Sequence, residues 1–549
     1  MKTNRVSALV VMFVTLAALS AQSQTVLYSF GSAGANDLLN PTGPGIIAQG
    51  RDGNLYSTTG SGGLNREGGL FQVTTKGTLT DLWNFGGQFQ GSSPISGLTL
   101  GTDGNLYGTD QGDEIGGGFG TIFRVNPVGP TIKTLHVFDG TDGQDPTAPP
   151  IEGTDGNFYG TTSKGGTYGF GTVYKVTPAG VFTSLFSFGN STGPYNGNSP
   201  VFPLVQGTDN NFYGVTTEGG DQNVGVVYKI TPQGVLTVVH SFGDIDGDGT
   251  QPYCTLALAN DGNFYGTTGT GGPLGGGTIF QITPQGRYNL LQYFDLSYYS
   301  SPAGGLVQAS DGNLYGVVRN NPGNASGGAF YSMTPQPGGK FLFSWITALE
   351  GGVVTPADTP FQHTSGVLYG DSVFGGTDSQ GTFYEMNLGL KPYAALLTVM
   401  GKPGKMIQIL GQGFTHATRV NFSGVQAKFT VASDTLLTAA VPVGAATGPV
   451  TVVIPTTGNL VSRQIFRVTP SVQNFTPASG SATTAVTING AGFKQTKQVS
   501  FNGVVTTSFK VNSDTQIVAD VPTGAKTGKI GVTTLGGSAV STTVFTVVK

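Results

Sequence analysis

Residues 103–108 read Asp-Gly-Asn-Leu-Tyr-Gly, and this stretch decides the fold because related hexapeptides recur along the first 390 residues. The tyrosine of each copy marks the repeat: Tyr56, Tyr107, Tyr159, Tyr213, Tyr265, Tyr315 and Tyr369. Successive tyrosines are 51, 52, 54, 52, 50 and 54 residues apart. The seventh copy has Ser-Gly-Val in place of Asp-Gly-Asn. A period near fifty predicts seven copies of one supersecondary unit.

Each unit offers four short strands. In the third unit the strand candidates cover residues 150–153, 157–162, 172–176 and 181–188, with tight turns at Asp-Gly and at Thr-Pro-Ala-Gly. Four strands in about fifty residues are typical of a β-propeller blade. A β-helix is the alternative, but its period is much shorter.

The ends of the repeat array indicate how the ring closes. Most units end in a fourth strand that carries an aromatic residue or His two positions before Phe, but the seventh unit has no such strand. An isolated copy, Tyr28-Ser29-Phe30, precedes the first unit. We therefore expect residues 26–30 to complete the last blade, which removes edges that would otherwise aggregate.

A second, longer repeat begins near Lys391. The motif Gly-Gln-Gly-Phe at Gly411 returns as Gly-Ala-Gly-Phe at Gly490, an offset of 79 residues. Two units of about eighty residues with short alternating segments are typical of β-sandwiches. The predicted fold is thus all-β, a seven-bladed β-propeller of four-stranded blades followed by two immunoglobulin-like β-sandwiches. The predicted boundaries are 24–389, 391–469 and 470–549.

These motifs resemble two known families. Residues 25–389 resemble the GloVer tandem-repeat proteins, exported bacterial proteins that repeat Asp-Gly-Asn-Leu-Tyr-Gly-Thr-Thr (here at residues 261–268, with Phe for Leu) and Gly-Thr-Val-Phe-Lys-Val-Thr-Pro (here at 171–178, with Tyr for Phe). That resemblance implies no particular activity. The C-terminal pair is similar to the IPT/TIG immunoglobulin-like family, which supplies spacers or binding units in bacterial surface proteins and glycan-active enzymes.

The N-terminus predicts export. Lys2 and Arg5 precede an apolar run at residues 8–19 and then small residues, as in a secretory signal peptide, here residues 1–23. A membrane anchor is the alternative, but it needs roughly 20 apolar residues. No other apolar run is as long, so we expect no transmembrane anchor and a secreted or cell-surface protein. Cys254, the only cysteine, is interpreted as a buried apolar residue rather than a nucleophile.

Charge divides the chain at the same boundary as the repeats. Residues 1–390 contain 13 Lys plus Arg and 27 Asp plus Glu, and residues 391–549 contain 13 and 3, which gives net charges of −14 and +10. One interpretation is that the basic part docks on an anionic envelope or an acidic polysaccharide. The alternative is that scattered lysines only keep the sandwiches soluble.

Candidate site residues are few. Loops that join strands two and three, and loops between blades, should form the ligand face, whereas the tight turns form the opposite face. One inter-blade loop carries Asp244, Asp246 and Asp248 at alternating positions followed by Gly, as in calcium loops, although Thr255 stands where such loops place Glu. These aspartates are candidate calcium ligands, and a plain turn is the alternative. No catalytic residue and no other cofactor is predicted.

Three hypotheses for function follow. The first is a secreted or cell-surface, non-catalytic binding or adhesion protein that recognises carbohydrate or an envelope polymer through the propeller loop face. The second is a propeller-type polysaccharide lyase or hydrolase, and the third is a purely structural exoprotein. We expect a monomer, and because the chain is exported we expect no nucleic acid partner.

Overall fold

The computed structural model describes residues 23–548 except 42–46, 87–91, 113–117, 190–195, 246, 321–326, 351 and 357–358. Residues 1–22 of the predicted signal peptide therefore lie outside the described residues. Within these ranges the regular secondary structure consists of β-strands and one turn of 3-10 helix, Phe414–His416. No helix in this part of the chain has the length and apolar character needed to cross a bilayer.

Seven sheets in chain order form the blades of the propeller. Their strands, from innermost to outermost, are Ala48–Gln49, Leu55–Thr59, Gly69–Val73 and Leu79–Asn84 (blade 1); Thr99–Leu100, Leu106–Asp110, Thr121–Asn126 and Thr131–Val137 (blade 2); Ile151–Glu152, Phe158–Thr162, Thr172–Val176 and Phe182–Ser187 (blade 3); Val205–Gln206, Phe212–Thr216, Val226–Ile230 and Leu236–Ser241 (blade 4); Ala257–Leu258, Phe264–Thr268, Gly275–Ile282 and Tyr288–Asp295 (blade 5); Ser300–Gln308, Leu314–Asn320, Ala329–Gln336 and Lys340–Ala348 (blade 6); and Phe361–Gln362, Leu368–Gly375, Thr382–Asn387 and Ser23–Ser29 (blade 7). Short extra pairs link the loops at Leu38–Leu39 with Ser61–Gly62, at Gly249–Thr250 with Thr270–Gly271, and at Val353–Pro356 with blade 7.

The N-terminal strand lies where the sequence predicted it. Ser23–Ser29 pairs antiparallel with Thr382–Asn387 and so supplies the outermost strand of blade 7. Phe30, which follows it, is fully buried in a cluster that joins Phe383 of blade 7 to Phe71 of blade 1. Each other pair of neighbouring blades shares a buried apolar cluster of the same kind.

Three positions of the repeated hexapeptide have a clear structural role. The Asp103 carboxylate accepts the backbone N–H of Asn105 at 3.0 Å and the hydroxyl of Tyr107 at 2.8 Å, which fixes the turn. The Tyr107 ring stacks on Phe158 of the next blade, with centroids 3.7 Å apart. A Cβ atom on Gly108 would lie 2.6 Å from the Phe123 ring, so glycine is required beneath that aromatic side chain.

A set of side chains that the sequence did not reveal joins the innermost strands. The Gln49 amide accepts the Thr364 N–H at 3.0 Å and donates to its hydroxyl at 2.8 Å, and so links blade 1 to blade 7. Equivalent bonds to a backbone N–H of the preceding blade come from Glu152, Gln206, Gln308 and Gln362. Leu100 and Leu258 occupy this position in blades 2 and 5.

His363 provides a further link between blades 7 and 1. Its Nδ1 accepts the Ser365 N–H at 3.1 Å, so the proton is on Nε2, which donates to the Gly53 carbonyl at 3.0 Å. Burial lowers the pKa of His363 to about 4 from 6.5. The unfolded chain therefore takes up a proton between these two values, and the stability contributed by neutral His363 is lost as the pH falls through this window.

We expect His363→Gln to reduce this sensitivity to acid. As the pH falls from 6.5 to 4, the unfolding free energy of the wild type should decrease by roughly 3 kcal/mol relative to that of the variant. Urea unfolding of both proteins across this range measures the difference. A difference that does not change with pH would show that His363 is not the responsible group.

Two β-sandwiches follow the propeller. The first has sheets Ala395–Leu396, Met406–Leu410, Leu436–Ala440 and Phe429–Val431, and Val425–Ala427, Arg419–Phe422, Val450–Val453 and Leu460–Val461, with the extra pair Met400–Gly401 and Arg467–Val468. The second has Ser471–Thr476, Ala485–Ala491, Gln516–Asp520 and Phe509–Ser513, and Ser479–Gly480, Gly537–Val547, Gly528–Thr534, Thr496–Phe501 and Val504–Thr506. Each sandwich has its own buried core.

The first sandwich docks on the tight-turn face of the propeller. Arg51, beside the first Asp-Gly-Asn turn, donates from its guanidinium to the Gln408 side chain at 2.8 Å. The backbone carbonyl of Arg51 accepts the Thr435 hydroxyl at 2.5 Å. On the opposite side of this face, Asn260 donates to the Arg463 carbonyl at 2.8 Å. These three contacts are polar, and none of them pairs opposite charges.

Candidate functional site

On the loop face, one backbone conformation recurs in all seven units. In every unit the residue before a proline in the inter-blade loop has φ between 51° and 56°; the seven are Asn40, Ser93, Asp145, Ser199, Gln251, Ser301 and Thr355. This left-handed residue turns the chain from the outermost strand of one blade to the innermost strand of the next. The X-Pro pair recurs in the sequence and could have been recognised there. The sequence does not show that the residue before each proline has a positive φ.

Histidines anchor two inter-blade loops. His136 Nε2 lies 2.8 Å from Asp142 Oδ2, and its ring stacks on Phe182 with centroids 3.7 Å apart. In the equivalent place His240 Nε2 lies 2.9 Å from Asp248 Oδ2. Both histidines therefore fix an inter-blade loop to the outermost strand of a blade.

The candidate calcium loop has only some of its carboxylates in the described residues. The buried Asp248 carboxylate accepts the Gly249 N–H at 2.8 Å in addition to its contact with His240, Asp244 is exposed, and Asp246 lies outside the described residues. Among the described side chains, no group of three or more His, Cys, Asp or Glu is placed to hold a metal. The calcium site stays a prediction.

The expected result of calcium binding is a higher melting temperature. Millimolar calcium should raise the Tm of the wild type above its value in EGTA, because an ion that binds only the folded state stabilises it. Asp244→Asn should reduce that shift by removing one ligand. An unchanged Tm of the wild type would identify the loop as a plain turn.

Exposed aromatic side chains lie between blades 5 and 6. Tyr298 and Tyr299 are in the inter-blade loop, and Trp345 is on the outermost strand of blade 6. Tyr299 contacts both neighbours, with centroid distances of 4.5 Å to Trp345 and 4.7 Å to Tyr298. Tyr298 is 58% exposed and Trp345 is 37% exposed. The three rings form one partly exposed aromatic cluster.

One more aromatic ring is exposed on the outermost strand of blade 5, where the sequence departs from that of other blades. In blades 1, 3 and 4 a side chain from strand four accepts a loop N–H, in the pairs Leu64 with Asn84, Thr167 with Ser187, and Asp221 with Ser241. Blade 5 has Pro273 at the loop position, and proline has no N–H. Tyr293 stands at the anchoring position and is 44% exposed.

An arginine lies on the axial side of the aromatic cluster. Arg319 is the last residue but one of strand two of blade 6. Its guanidinium carbon lies 4.8 Å from the ring centroid of Tyr253, which leads into the innermost strand of blade 5. Asn320 donates to the hydroxyl of Ser301 at 3.3 Å, two residues after Tyr299. We call Arg319, Tyr253, Asn320, Tyr299 and Trp345 the 5/6 track. Sequence reasoning missed it because Tyr253 and Arg319 belong to different blades.

Comparison with models of known protein families identifies both kinds of repeat. A model of the Gloeobacter/Verrucomicrobia repeat matches residues 13–200 and 192–352, which is 340 of 549 residues. The chain belongs to the Gloeobacter/Verrucomicrobia repeat family. An IPT/TIG domain model matches residues 396–466 and 470–547, so the two sandwiches are IPT/TIG domains. The exact domain boundaries that the sequence predicts, 24–389, 391–469 and 470–549, stay predictions.

Solved structures show only distant likeness to this Gloeobacter/Verrucomicrobia repeat protein. A surface glycan-binding protein from Prevotella bryantii is 17% identical over 27% of this chain and 38% of its own, with a TM-score of 0.21. The extracellular domain of a hybrid two-component system from Bacteroides thetaiotaomicron is 11% identical over 93% and 64%, with a TM-score of 0.40. A fungal alcohol oxidase in complex with copper is 13% identical over 78% and 98%, with a TM-score of 0.41. No curated protein matches the chain significantly.

Strand two of blade 2 ends in a buried carboxylate. Asp110 ends strand two of blade 2, where blades 1, 3, 4 and 5 have threonine. It accepts the Thr121 hydroxyl and the Gly112 N–H, the latter at 3.2 Å. Burial raises the pKa of Asp110 to about 7. The sequence analysis missed this group, although alignment of the repeats reveals it.

A cavity of about 760 Å³ lies between the tight-turn face and the first IPT/TIG domain. Several of the polar side chains that line it already form bonds between blades, among them Glu152, Gln206 and Gln308. Among the described residues, no hydrogen bond joins the Tyr299 or Trp345 side chain or the Arg319 guanidinium to another blade, although Arg319 lies over the Tyr253 ring of blade 5. The loop face therefore offers more unused binding groups than this cavity.

Proposed function

We propose that this Gloeobacter/Verrucomicrobia repeat protein is an exported, non-catalytic protein that binds extracellular or envelope carbohydrate along the 5/6 track. The observation that carries the proposal is the contiguous cluster of Tyr298, Tyr299 and Trp345. Sugar rings present C–H faces that pack on aromatic rings, and aromatic side chains bury a large area with little loss of side-chain entropy. Neighbouring amide and hydroxyl groups, such as Asn320 and Ser301, supply hydrogen bonds.

Two further observations support this face. The first IPT/TIG domain covers part of the tight-turn face, through the contacts of Arg51 and Asn260. On the loop face, several charged groups already have structural partners, namely Asp145 with Lys164, His136 with Asp142 and His240 with Asp248. Side chains engaged in this way favour binding over acid–base chemistry. A lyase or hydrolase, and a structural exoprotein without ligand, remain the alternatives.

A glycan array with residues 24–549 tests the proposal. We expect binding to at least one polysaccharide, and Trp345→Ala should weaken it at least about tenfold, equivalent to about 1.4 kcal/mol. Phe374→Ala is the matched control, since this 52% exposed aromatic residue lies in blade 7. Cleavage of a bound glycan would favour the enzyme. The absence of any binding would favour the structural exoprotein.

A further inference from the structure

Arg319 is exceptional among its equivalents in the seven blades. The other six positions hold Gly60, Gln111, Ser163, Thr217, Gly269 and Val373, none of which carries a charge. The described residues give Arg319 no carboxylate partner within ion-pair distance, and its Nε is buried without a hydrogen bond. A cation is therefore held at this place without an acidic partner from the described part of the chain.

The contact with Tyr253 fixes the guanidinium without using its donors. A guanidinium on an aromatic face is attracted by the ring, while its N–H groups lie in its own plane and are not used by that contact. Because Nε is buried, the two terminal NH2 groups are the donors that a ligand would meet. These donors form a rigid fork that matches the two oxygens of a carboxylate. The partly buried surroundings weaken the competition from water. Arg319 is thus preorganised for an anion.

We infer that the carbohydrate bound by this protein is an acidic polysaccharide, with a uronic acid carboxylate on Arg319. The inference rests on the proposed function and adds the chemical class of the ligand. Sugar rings pack on Tyr299 and Trp345 at the outer end of the 5/6 track. Asn320, between the aromatic cluster and Arg319, accepts from a sugar hydroxyl through Oδ1, because its NH2 group already donates to Ser300 and Ser301. The carboxylate accepts from the guanidinium at the axial end.

The IPT/TIG domains offer a competing explanation for the binding of acidic polymers. Their exposed cations include Arg419 and Lys428, which lie next to the paired residues Val420 and Ala427 on neighbouring strands. None of the described basic side chains after residue 390 has an ion-pair partner. Such a surface attracts polyanions through summed charge and does not require a specific sugar. The experiment must therefore separate one oriented arginine from a diffuse positive surface.

Isothermal titration of residues 24–549 with two oligogalacturonides separates these cases. The two ligands have the same length, and one is free acid and the other fully methyl-esterified, so they differ in charge. We expect the wild type to bind the free acid at least about tenfold more tightly. Arg319→Gln should abolish this preference, and Arg319→Lys should keep only part of it because lysine lacks the planar fork. Arg419→Gln is the matched control, and it should keep the preference.

Each outcome separates the inference from the proposed function. Equal affinity of the wild type for both oligosaccharides overturns the acidic ligand and leaves carbohydrate binding in place. An equal loss in Arg419→Gln and Arg319→Gln assigns the preference to the IPT/TIG surface and also overturns the inference. No binding to either ligand or to any glycan on the array overturns the proposed function itself. If Arg319→Gln unfolds, the wild-type preference and the Arg419→Gln control decide.

Discussion

Asp110→Thr should raise the free energy of unfolding by roughly 2–4 kcal/mol at pH 8 and by much less at pH 4. Burial places the pKa of Asp110 near 7, above its ordinary value of 3.8. Between these values the unfolded chain loses its proton while the folded chain keeps it. Stability from this group is therefore present below pH 4 and lost as the pH rises toward 7.

The structure also predicts that threonine fits at this position. In blade 3 the equivalent Thr162 hydroxyl lies 2.8 Å from that of Thr172 and donates to the Lys164 carbonyl at 2.9 Å. The variant would restore this arrangement between residue 110 and Thr121. Urea unfolding at pH 4 and pH 8 measures the effect, with Asp221→Thr, on an exposed loop, as control. A gain that is equal at both pH values would contradict the role of ionisation.

This effect opposes that of His363. Neutral His363 contributes stability that is lost as the pH falls from 6.5 to 4, whereas Asp110 loses stability as the pH rises through an overlapping window. The contributions of these two groups to the unfolding free energy of the wild type should therefore nearly cancel between pH 4 and 6.5. The two opposite dependences of unfolding free energy on pH should be seen separately in His363→Gln and Asp110→Thr.

Removal of Ser23–Phe30 should strongly destabilise the folded protein. A chain that begins at Gly31 lacks the outermost strand of blade 7 and leaves the edge of Thr382–Asn387 without its partner. It also lacks Phe30, and loss of a buried phenylalanine alone costs about 3–5 kcal/mol. We expect the truncated protein to aggregate and to unfold at lower urea, because exposed strand edges promote association.

Size-exclusion chromatography and urea unfolding test this expectation against a control chain that begins at Ser23. The synthetic peptide SQTVLYSF, residues 23–30, should restore part of the stability, because it can add as a strand to the free edge. An unchanged unfolding midpoint in the truncated chain would contradict the strand assignment. Rescue by a scrambled peptide would show that the effect does not depend on strand register.

The sequence predicted features that repeat and missed features that join different repeats. The tyrosine period predicts seven blades, and the isolated Tyr28-Ser29-Phe30 predicts the completing strand, because both depend on local pattern. The contact between Arg319 and Tyr253 depends on how two blades approach each other, so no local pattern indicates it. Docking of the first IPT/TIG domain is equally non-local.

The side-chain links between the innermost strands have a consequence for how neighbouring blades are held together. Five of the seven junctions carry a Gln or Glu link, and at the junction of blades 1 and 2 Arg51 donates to the Thr102 carbonyl at 2.7 Å instead. At the junction of blades 4 and 5, Leu258 offers no such bond among the described residues. Blades 4 and 5 are held together there by the buried apolar cluster that includes Phe202, Tyr213 and Phe280. The innermost strands of this junction therefore depend on packing where the other junctions add a polar side-chain link.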